Sequence, residues 1–283
     1  MIDLHLHSRA SDGTLTPAEL VALAAARGVA LMALTDHDCT DGLTEAEAAC
    51  RAAGIRFVAG AEISVTWEHT TLHVLALDVD RAHAGLQVGL AELQETRHER
   101  AREMGRRLEA RGIADAYAGA RKLARGVGVA RTHFARFLCE SGHVKDLQQA
   151  YRKYLSRGKP GYVPSAWAPL EECIGWIHAA GGQAVLAHPL RYELTRARLL
   201  RVLQAFKTAG GDGVEMISGR YDKDGLQLLT HLALKFGLAG SVGSDFHAPA
   251  PYSQPGVAME LPAGILPVWE RFRDGGQPAP GLT

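Results

Sequence analysis

Short apolar runs typical of β-strands alternate with helical stretches along most of the chain. The predicted strands span residues 2–6, 31–34, 56–59, 71–77, 184–187, 213–217 and 239–242. Thr16 followed by Pro17 predicts the start of a first helix at 17–27, because threonine caps helix N-termini and proline fits the first helical position. Strands and helices in alternation are typical of a parallel barrel or an open α/β sheet.

This alternation is interrupted between residues 92 and 165, where helices are predicted without a strand. Phe134, Phe137 and Leu138 recur at helical spacing there, which is typical of a packed helix face. We therefore expect three segments. They are a first part of the α/β body at 1–91, a helical insertion at 92–165 and a second part of the body at 166–283.

Charge is distributed unevenly, although the chain as a whole is formally neutral. Residues 97–165 contain 16 Lys and Arg against 6 Asp and Glu, which leaves 15 basic and 25 acidic residues elsewhere. A basic insertion would attract a polyanionic substrate, and carboxylates around metal ions would explain part of the acidity elsewhere. For any single arginine of the insertion, a solvated helix face is an equally good explanation.

Composition argues against export, a membrane span and a disulfide framework. The N-terminus has no basic start followed by an apolar stretch, so no secretory signal peptide is expected. The most apolar window, residues 21–34, is shorter than the roughly 20 residues of a membrane span. Four widely spaced cysteines without a CxxC pair favour a reduced, cytoplasmic setting. No feature indicates an obligate protein partner.

Histidines and acidic residues directly follow several of the apolar runs. The motifs are HLH (His5, His7), TDHD (His37), AHP (His188) and SDFH (Asp245, His247). Because a barrel collects the C-terminal ends of its strands on one face, these motifs would converge there. His5 and His7 lie two positions apart on a strand, so they face the same side and form a chelating pair.

Three further residues are candidate ligands, each with an alternative explanation. Asp12 lies in a Ser-Asp-Gly turn, where it is either a turn-forming residue or an oxygen ligand. Glu62 follows the apolar run FVAGA, and a carboxylate buried there needs a cation. His73 lies within TLHVLAL, where a lone histidine is more often a core residue. Imidazole and carboxylate ligands without thiolates suit zinc, manganese or iron, and this number of ligands suits two or three ions.

Taken in order, HLHSRASDGTLTP, ALTDHDCTDGL, GAEIS, TLHVLAL, AHP and GSDFH resemble the motifs of the polymerase and histidinol phosphatase (PHP) domain family. The resemblance implies a distorted seven-stranded α/β barrel with a trinuclear metal site. Manganese is the expected metal, with zinc or iron as alternatives. The implied ligands are His5, His7, Glu62 and Asp245 for the first ion, Glu62, His73 and His188 for the second, and Asp12, His37 and His247 for the third.

Two segments of the insertion, ARTHFARFL and RGKPGYVP, and the motif AHPLRY are similar to segments of PHP nucleotide phosphatases. Members of that group remove the 3′-phosphate from nucleoside 3′,5′-bisphosphates, and some trim short RNAs from the 5′ end. The resemblance thus implies a nucleotide or short oligoribonucleotide as substrate and the insertion as a substrate-binding lid. Leu190 and Cys39 replace a glycine and a threonine that are frequent in related sequences, and neither change removes a ligand.

Several basic residues in these segments are candidates for binding phosphate, because guanidinium and ammonium groups suit phosphate oxygens. They are Arg131, His133, Arg136, Lys159 and Arg191. The alternative for each cation is an ordinary surface charge, and the alternative for His133 is a core position in its helix.

The sequence contains no GxSxG elbow, P-loop or Cys-His nucleophile. We therefore expect a metal-bound water, rather than a side chain, to attack phosphorus. Three alternatives stay open: a phosphatase for another monoester such as histidinol phosphate, a metal-dependent hydrolase of C–N bonds, and a noncatalytic PHP module. Several metals and phosphate-binding cations argue against the second, and the complete ligand set argues against the third.

Overall fold

Within the residues that the structure describes, eight strands form one sheet. The structure is a computed structural model that describes residues 1–126, 128–164, 166–192, 194–219, 222–250, 253–258 and 260–273. The strands are β1 (Ile2–Asp3), β2 (Leu31–Leu34), β3 (Arg56–Trp67), β4 (Thr70–Leu77), β5 (Ala168–Pro169), β6 (Gln183–Leu186), β7 (Gly213–Ser218) and β8 (Ala239–Gly243).

Helices connect most of these strands. They are α1 (Pro17–Ala26), α2 (Leu43–Ala53), α3 (Ala84–Glu109), α4 (Ala116–Leu123), α5 (Arg131–Glu140), α6 (Leu147–Ala150), α7 (Leu170–Ala179), α8 (Arg196–Thr208) and α9 (Lys223–Phe236). A π-helical turn (Tyr151–Leu155) follows α6, and 3₁₀ turns occur at Pro189–Tyr192 and Val268–Arg271. None of the described helices is long and apolar enough to cross a membrane.

The sheet is a nearly closed barrel of seven strands in the order β1-β2-β3-β4-β6-β7-β8, and β5 pairs with the outer end of β3. Neighbouring strands are parallel except that β4 is antiparallel to both β3 and β6. At the seam, the Leu4 amide donates to the Val242 carbonyl at 3.0 Å and the Asp245 amide donates to the His5 carbonyl at 2.9 Å. The predicted seven-stranded α/β barrel is therefore confirmed.

The sequences of several strands are continuous apolar runs because these strands are buried. Every residue of β2 and of β8 is buried, as expected for parallel strands covered on both faces. The structure differs from the prediction at β3, which continues to Trp67 instead of ending at residue 59. Its second half forms an antiparallel hairpin with β4, turning at Glu68 and His69, both of which have positive φ.

The N-terminus of α1 has the predicted cap. The Glu19 amide donates to Thr16 Oγ1 at 3.2 Å, and the Thr16 amide donates to the Glu19 carboxylate at 2.8 Å. This reciprocal capping box satisfies two backbone donors that the helix leaves unpaired. It fixes where α1 begins, directly after the loop that carries His7 and Asp12.

The helices from the second half of α3 to the π-helical turn pack around a hydrophobic cluster of their own. Its largest buried members include Met104, Leu108, Phe134 and Leu138. The barrel and its outer helices enclose separate clusters. Because α3 already begins at Ala84, the predicted boundary at residue 92 falls inside this helix, and the division into three segments stays a prediction.

Candidate metal centre

Nine side chains meet at one end of the barrel, and they are the nine predicted ligands. His5 and His7 follow β1, Asp12 lies in the next loop, His37 follows β2, Glu62 and His73 lie on β3 and β4, His188 follows β6, and Asp245 and His247 follow β8. Their ligand atoms form four overlapping groups of three or four, within each of which all atoms lie within 4.8 Å of one another. The barrel thus brings together residues from the first and last parts of the chain.

Glu62 lies close to five histidines of this cluster and is fully buried. Its Oε1 lies 2.9 Å from His73 Nδ1, 2.9 Å from His188 Nε2 and 3.4 Å from His5 Nε2, and its Oε2 lies 2.9 Å from His37 Nδ1 and 3.2 Å from His7 Nε2. Burial by itself would raise the pKa of the Glu62 carboxyl, but the imidazoles of His37, His73 and His5 hold it well below its usual range.

The carboxylates of Asp245 and Asp12 each lie close to two histidine rings. Asp245 Oδ1 lies 3.4 Å from His5 Nε2 and 3.2 Å from His7 Nε2. Asp12 Oδ1 lies 3.3 Å from His247 Nε2 and 3.9 Å from the Nε2 of His37. The pKa of each carboxyl is held well below its usual range, because neighbouring histidines outweigh the effect of burial.

The donor atoms of this cluster fit divalent cations. Asp12 Oδ1, His37 Nδ1 and Glu62 Oε2 are buried and form no aligned hydrogen bond among the described residues, although His37 Nδ1 lies 2.9 Å from Glu62 Oε2. An unsatisfied buried polar atom costs about 1–3 kcal/mol, and a bound cation would remove that cost. Imidazole nitrogens and carboxylate oxygens without thiolates are ligands that zinc, manganese and iron accept.

Glu215, a residue that the motifs did not identify, holds two of the histidines from behind. Its Oε1 lies 3.0 Å from His5 Nδ1, and its Oε2 accepts a 2.7 Å bond from the His188 amide. Carboxylates that bond the far nitrogen of a ligating histidine fix the ring orientation. The available signal was the one that identified Glu62, since Glu215 is an acidic residue within the apolar run GVEMIS.

Asp36 shapes the loop that carries Asp12. Its carboxylate accepts hydrogen bonds from the Ser8 amide at 2.8 Å, from Ser8 Oγ at 2.6 Å and from Ser11 Oγ at 2.6 Å. Burial raises the pKa of Asp36, against the effect of these hydrogen bonds and of His7. Asp36 therefore contributes to the position of this loop through its serines.

The backbone is locally strained around the centre. His188 has a φ of 30° and Asp245 a φ of 54°, conformations that are uncommon for residues other than glycine. Gly243 permits the close approach of β8 to β1, because a Cβ there would lie 2.2 Å from His5 Cβ. Strained residues of this kind cluster at functional sites, where the surrounding structure holds them in place.

A cavity of about 330 Å³ opens onto the cluster. Its lining includes predicted ligands, among them Asp12, Glu62 and Asp245, and also the arginine wall, by which we mean Arg97, Arg100 and Arg131. Acidic, imidazole and guanidinium groups thus line a single space. Such an arrangement can hold cations at one end of a ligand and anionic groups at the other.

The five predicted phosphate-binding residues lie in different places. Arg131 lines the cavity, whereas Lys159 is exposed and is not among the described lining residues. Arg136 donates to the Asp12 carbonyl at 2.8 Å, and Arg191 forms an ion pair with the Asp245 carboxylate. His133 is buried, and its Nδ1 accepts a 2.9 Å bond from the Ala130 amide at the N-terminus of α5.

Arg97 and Arg100 are lining residues that sequence reasoning missed. Both project from α3 and are buried, and both guanidinium groups lie over the Trp167 ring, at 5.3 and 4.7 Å from its centroid. Arg97 forms an ion pair with Asp38 and donates to Ser64 Oγ at 2.9 Å. The excess of basic residues in the insertion was the available signal, and it does not distinguish these arginines from exposed ones.

The chain belongs to the PHP domain family, whose model matches residues 3–210. The chain is 49% identical over 273 residues to the 3′,5′-nucleoside bisphosphate phosphatase of Chromobacterium violaceum, covering 96% of each chain. It is 44% identical over 270 residues to a 5′-3′ exoribonuclease of Haemophilus influenzae, covering 95% of this chain and 98% of the relative. The predicted family is therefore confirmed.

A solved structure with the same fold extends this similarity to three dimensions. It is described as an amidohydrolase from Chromobacterium violaceum with bound sulfate and no metal. It matches with a TM-score of 0.91 at 49% identity, covering 95% of this chain and 94% of that chain.

Proposed function

We propose that the chain is a metal-dependent phosphoesterase that removes the 3′-phosphate from nucleoside 3′,5′-bisphosphates, so that adenosine 3′,5′-bisphosphate yields AMP. The observation that carries this proposal is the cavity, which is lined by seven of the nine clustered residues and by three arginines. The relative from Chromobacterium violaceum, which is similar over nearly its whole length, supports this substrate. The basic wall favours a substrate with more than one phosphate.

The nine clustered residues would hold two or three divalent cations, for which manganese is our first choice and zinc or iron the alternatives. When bound, such ions activate water for attack on phosphorus and neutralise charge on the phosphoryl oxygens. Glu62 would be shared between ions, because both of its oxygens lie close to imidazole nitrogens. Glu215 would keep the ring of His5 oriented toward the centre.

Two hydroxyl groups on the cavity wall, those of Ser64 and Thr132, are poorly suited to act as nucleophiles. Ser64 Oγ accepts a hydrogen bond from Arg97 at 2.9 Å, and Thr132 Oγ1 donates to the Asp12 carboxylate at 2.7 Å. A serine or threonine nucleophile needs a general base that takes its proton. Asp12 belongs to the ligand cluster, so this wall favours attack by water.

Trimming of short RNA from the 5′ end is a second proposed activity, supported by the relative from Haemophilus influenzae. Both reactions break the bond between phosphorus and the 3′-oxygen of a nucleotide that carries a 5′-phosphate. A nucleoside 3′,5′-bisphosphate is then the shortest substrate of this type. One site can therefore perform both reactions if the cavity leaves room for the departing strand.

The test is to incubate the manganese-loaded protein with adenosine 3′,5′-bisphosphate, with a 5′-phosphorylated short RNA and with histidinol phosphate. We expect phosphate and AMP from the first, mononucleotides from the second and no turnover of the third. Turnover of histidinol phosphate alone would replace the proposed substrate class. Inactivity of the metal-loaded protein toward all phosphoesters would favour a noncatalytic module.

We also propose that the protein works in the cytoplasm. All four cysteines are free, and Cys39, Cys50 and Cys173 are buried. Unpaired thiols are typical of proteins in reducing compartments. Fractionation of cells that express the protein tests this location.

A further inference from the structure

A second groove lies beside the β3–β4 hairpin, separate from the cavity that holds the ligand cluster. It has a volume of about 400 Å³, and its described lining comes from the end of β3, the middle of α8 and the end of α9. Trp67, Arg201, Gln204, Lys235 and Phe236 are among the residues that line it. None of its described lining residues belongs to the ligand cluster or to the arginine wall.

Aromatic rings and cations are paired along this groove. The Arg201 guanidinium carbon lies 5.7 Å from the centroid of the Trp67 ring, and Lys235 Nζ lies 5.5 Å from the centroid of the Phe236 ring. Both aromatic residues are partly buried, and both cations are exposed. Proteins that bind single-stranded nucleic acid use this combination, because bases stack on rings and guanidinium planes while cations contact the phosphates.

The helix on one side of the groove is basic. α8 contains Arg196, Arg198, Arg201 and Lys207 and no acidic residue. These are four of the 15 basic residues outside the segment 97–165, where acidic residues are in excess. Glu68, the one acidic residue among the groove's described lining, pairs with Arg201 and leaves the other cations of α8 in excess. A basic surface on an otherwise acidic body attracts a polyanion.

The β3–β4 hairpin separates this groove from the metal centre. Ser64, Thr71 and His73 line the cavity, and Ser64 pairs with His73 across the hairpin. Trp67 lies three positions after Ser64, so its side chain points to the opposite face of the hairpin, against Arg201 of α8. Three residues of a strand span roughly 10 Å. A nucleotide chain that leaves the centre can therefore cross the tip of the hairpin and reach the groove.

We propose that this groove binds the downstream part of a single-stranded RNA whose 5′ end lies in the cavity. The inference rests on the proposed trimming of short RNA and deepens it. The cavity has the size of a pocket for one small molecule, so a longer RNA must extend beyond it. Trp67 and Phe236 stack with its bases, and Arg201 and Lys235 contact its phosphates. A nucleoside bisphosphate is too short to reach the groove, and its hydrolysis does not depend on these residues.

The test compares kcat/KM of the manganese-loaded protein for adenosine 3′,5′-bisphosphate and for 5′-phosphorylated oligoadenylates of two and ten nucleotides. Arg201→Gln should lower the value for the ten-nucleotide RNA about 10-fold, the effect of one hydrogen bond to a charged group, and leave the other two unchanged. Lys207→Gln is the matched control, because Lys207 is exposed on the same helix and lies outside the described lining of the groove. It should change none of the three values.

Replacing Trp67 tests the stacking contact. Trp67→Leu keeps an apolar side chain against α8 but removes the ring, and kcat/KM for the ten-nucleotide RNA should fall about 5- to 100-fold. Trp67→Phe restores a ring and should recover most of this loss.

Salt dependence tests the phosphate contacts. In the wild type, log kcat/KM should fall more steeply with log salt concentration for the ten-nucleotide RNA than for the dinucleotide. Arg201→Gln should reduce the slope for the longer RNA by about 0.7, the value for one phosphate contact on a single strand. A role of Arg201 in structure alone would leave this slope unchanged.

The outcomes distinguish this inference from the proposed function. A wild type that hydrolyses the bisphosphate but neither RNA contradicts RNA trimming and this inference with it. Full hydrolysis of the ten-nucleotide RNA by Arg201→Gln and Trp67→Leu overturns the role of the groove and leaves RNA trimming standing. An equal fall for all three substrates, or the same fall in Lys207→Gln, also overturns it, because the effect would then come from the fold or from total charge.

Discussion

The ligand cluster and the arginine wall (Arg97, Arg100 and Arg131) line one cavity, but the sequence specifies them in different ways. Most of the ligands directly follow a strand in a short motif, as His5 and His7 do, whereas Glu62 and His73 lie within β3 and β4. Arg97 and Arg100 lie in the middle of a 26-residue helix that carries charged residues on several sides. Strand ends of a barrel converge by construction, whereas the functional face of a charged helix is defined only by what packs against it.

Replacing Glu62 by Gln tests the ligand side of this comparison and should have the largest effect. The amide is neutral and presents hydrogens to imidazoles that now face a carboxylate at 2.9 Å. We expect loss of bound metal and a fall in kcat/KM beyond the roughly 10- to 100-fold cost of losing an outer partner of a ligand. Metal analysis and phosphate release measure the two effects.

Glu68→Gln is the matched control, because Glu68 follows the same strand but its side chain is 42% exposed and pairs with Arg201. It should change neither metal content nor rate. Full metal content and activity in Glu62→Gln would show that Glu62 is not required to hold the metal ions.

Replacing Arg97 by Met tests whether the two arginines of the wall differ as their contacts indicate. The variant leaves the buried Asp38 carboxylate without its cation, and breaking a buried ion pair costs about 3–5 kcal/mol. The free energy of unfolding in denaturant should fall by about this amount, whereas Arg100→Met should show no loss. Adding Asp38→Asn to Arg97→Met should recover most of the stability, and equal losses in Arg97→Met and Arg100→Met would contradict the distinction.

Much of the barrel and its site could be predicted because the relevant signals are local. The apolar run LMAL predicted β2 to the residue, and Thr16 with Pro17 predicted where α1 begins. The extension of β3 to Trp67 was missed, although Ala61, Ile63 and Val65 alternate with polar residues there, a pattern typical of a strand.

The roles of the basic residues around the cavity could not be predicted, because these roles depend on tertiary contacts. Arg136 and His133 come from a segment similar to nucleotide phosphatases, yet they bond to the Asp12 carbonyl and the Ala130 amide. Arg100 lacks any such motif and still lines the cavity. A pattern of basic residues indicates the sign of the charge on a surface. It does not indicate which basic side chain pairs with a carboxylate and which can bind a ligand.

Replacing Glu215 by Gln tests how strongly metal binding by the cluster depends on a carboxylate that contacts the ligands His5 and His188. Glutamine can still accept the bond from the His188 amide, but it weakens the contact with His5 Nδ1, which is 3.0 Å from the carboxylate. We expect metal affinity to fall about 10- to 100-fold and activity to return with excess metal. Glu171→Gln on the exposed face of α7 is the control, and unchanged affinity in Glu215→Gln would remove this positioning role.

Replacing His133 should have the smallest effect. The pH dependence of stability in this variant tests whether His133 adds a positive charge to the arginine wall. Burial lowers the pKa of His133 to about 4, so between that value and the ordinary 6.5 the unfolded chain binds a proton that the folded chain does not. Stability from this residue is therefore complete above pH 6.5 and is lost as the pH falls toward 4.

His133→Gln isolates this contribution, because glutamine does not titrate and its oxygen can accept the bond from the Ala130 amide. The stability advantage of the wild type over this variant should shrink by about 1–2 kcal/mol between pH 8 and pH 5, measured by denaturant unfolding of the metal-loaded proteins. An advantage that is constant or grows toward pH 5 would mean that the ring is charged in the folded protein. His133 would then join Arg100 and Arg131 as a phosphate-binding cation, whereas a neutral ring leaves that role to the arginines.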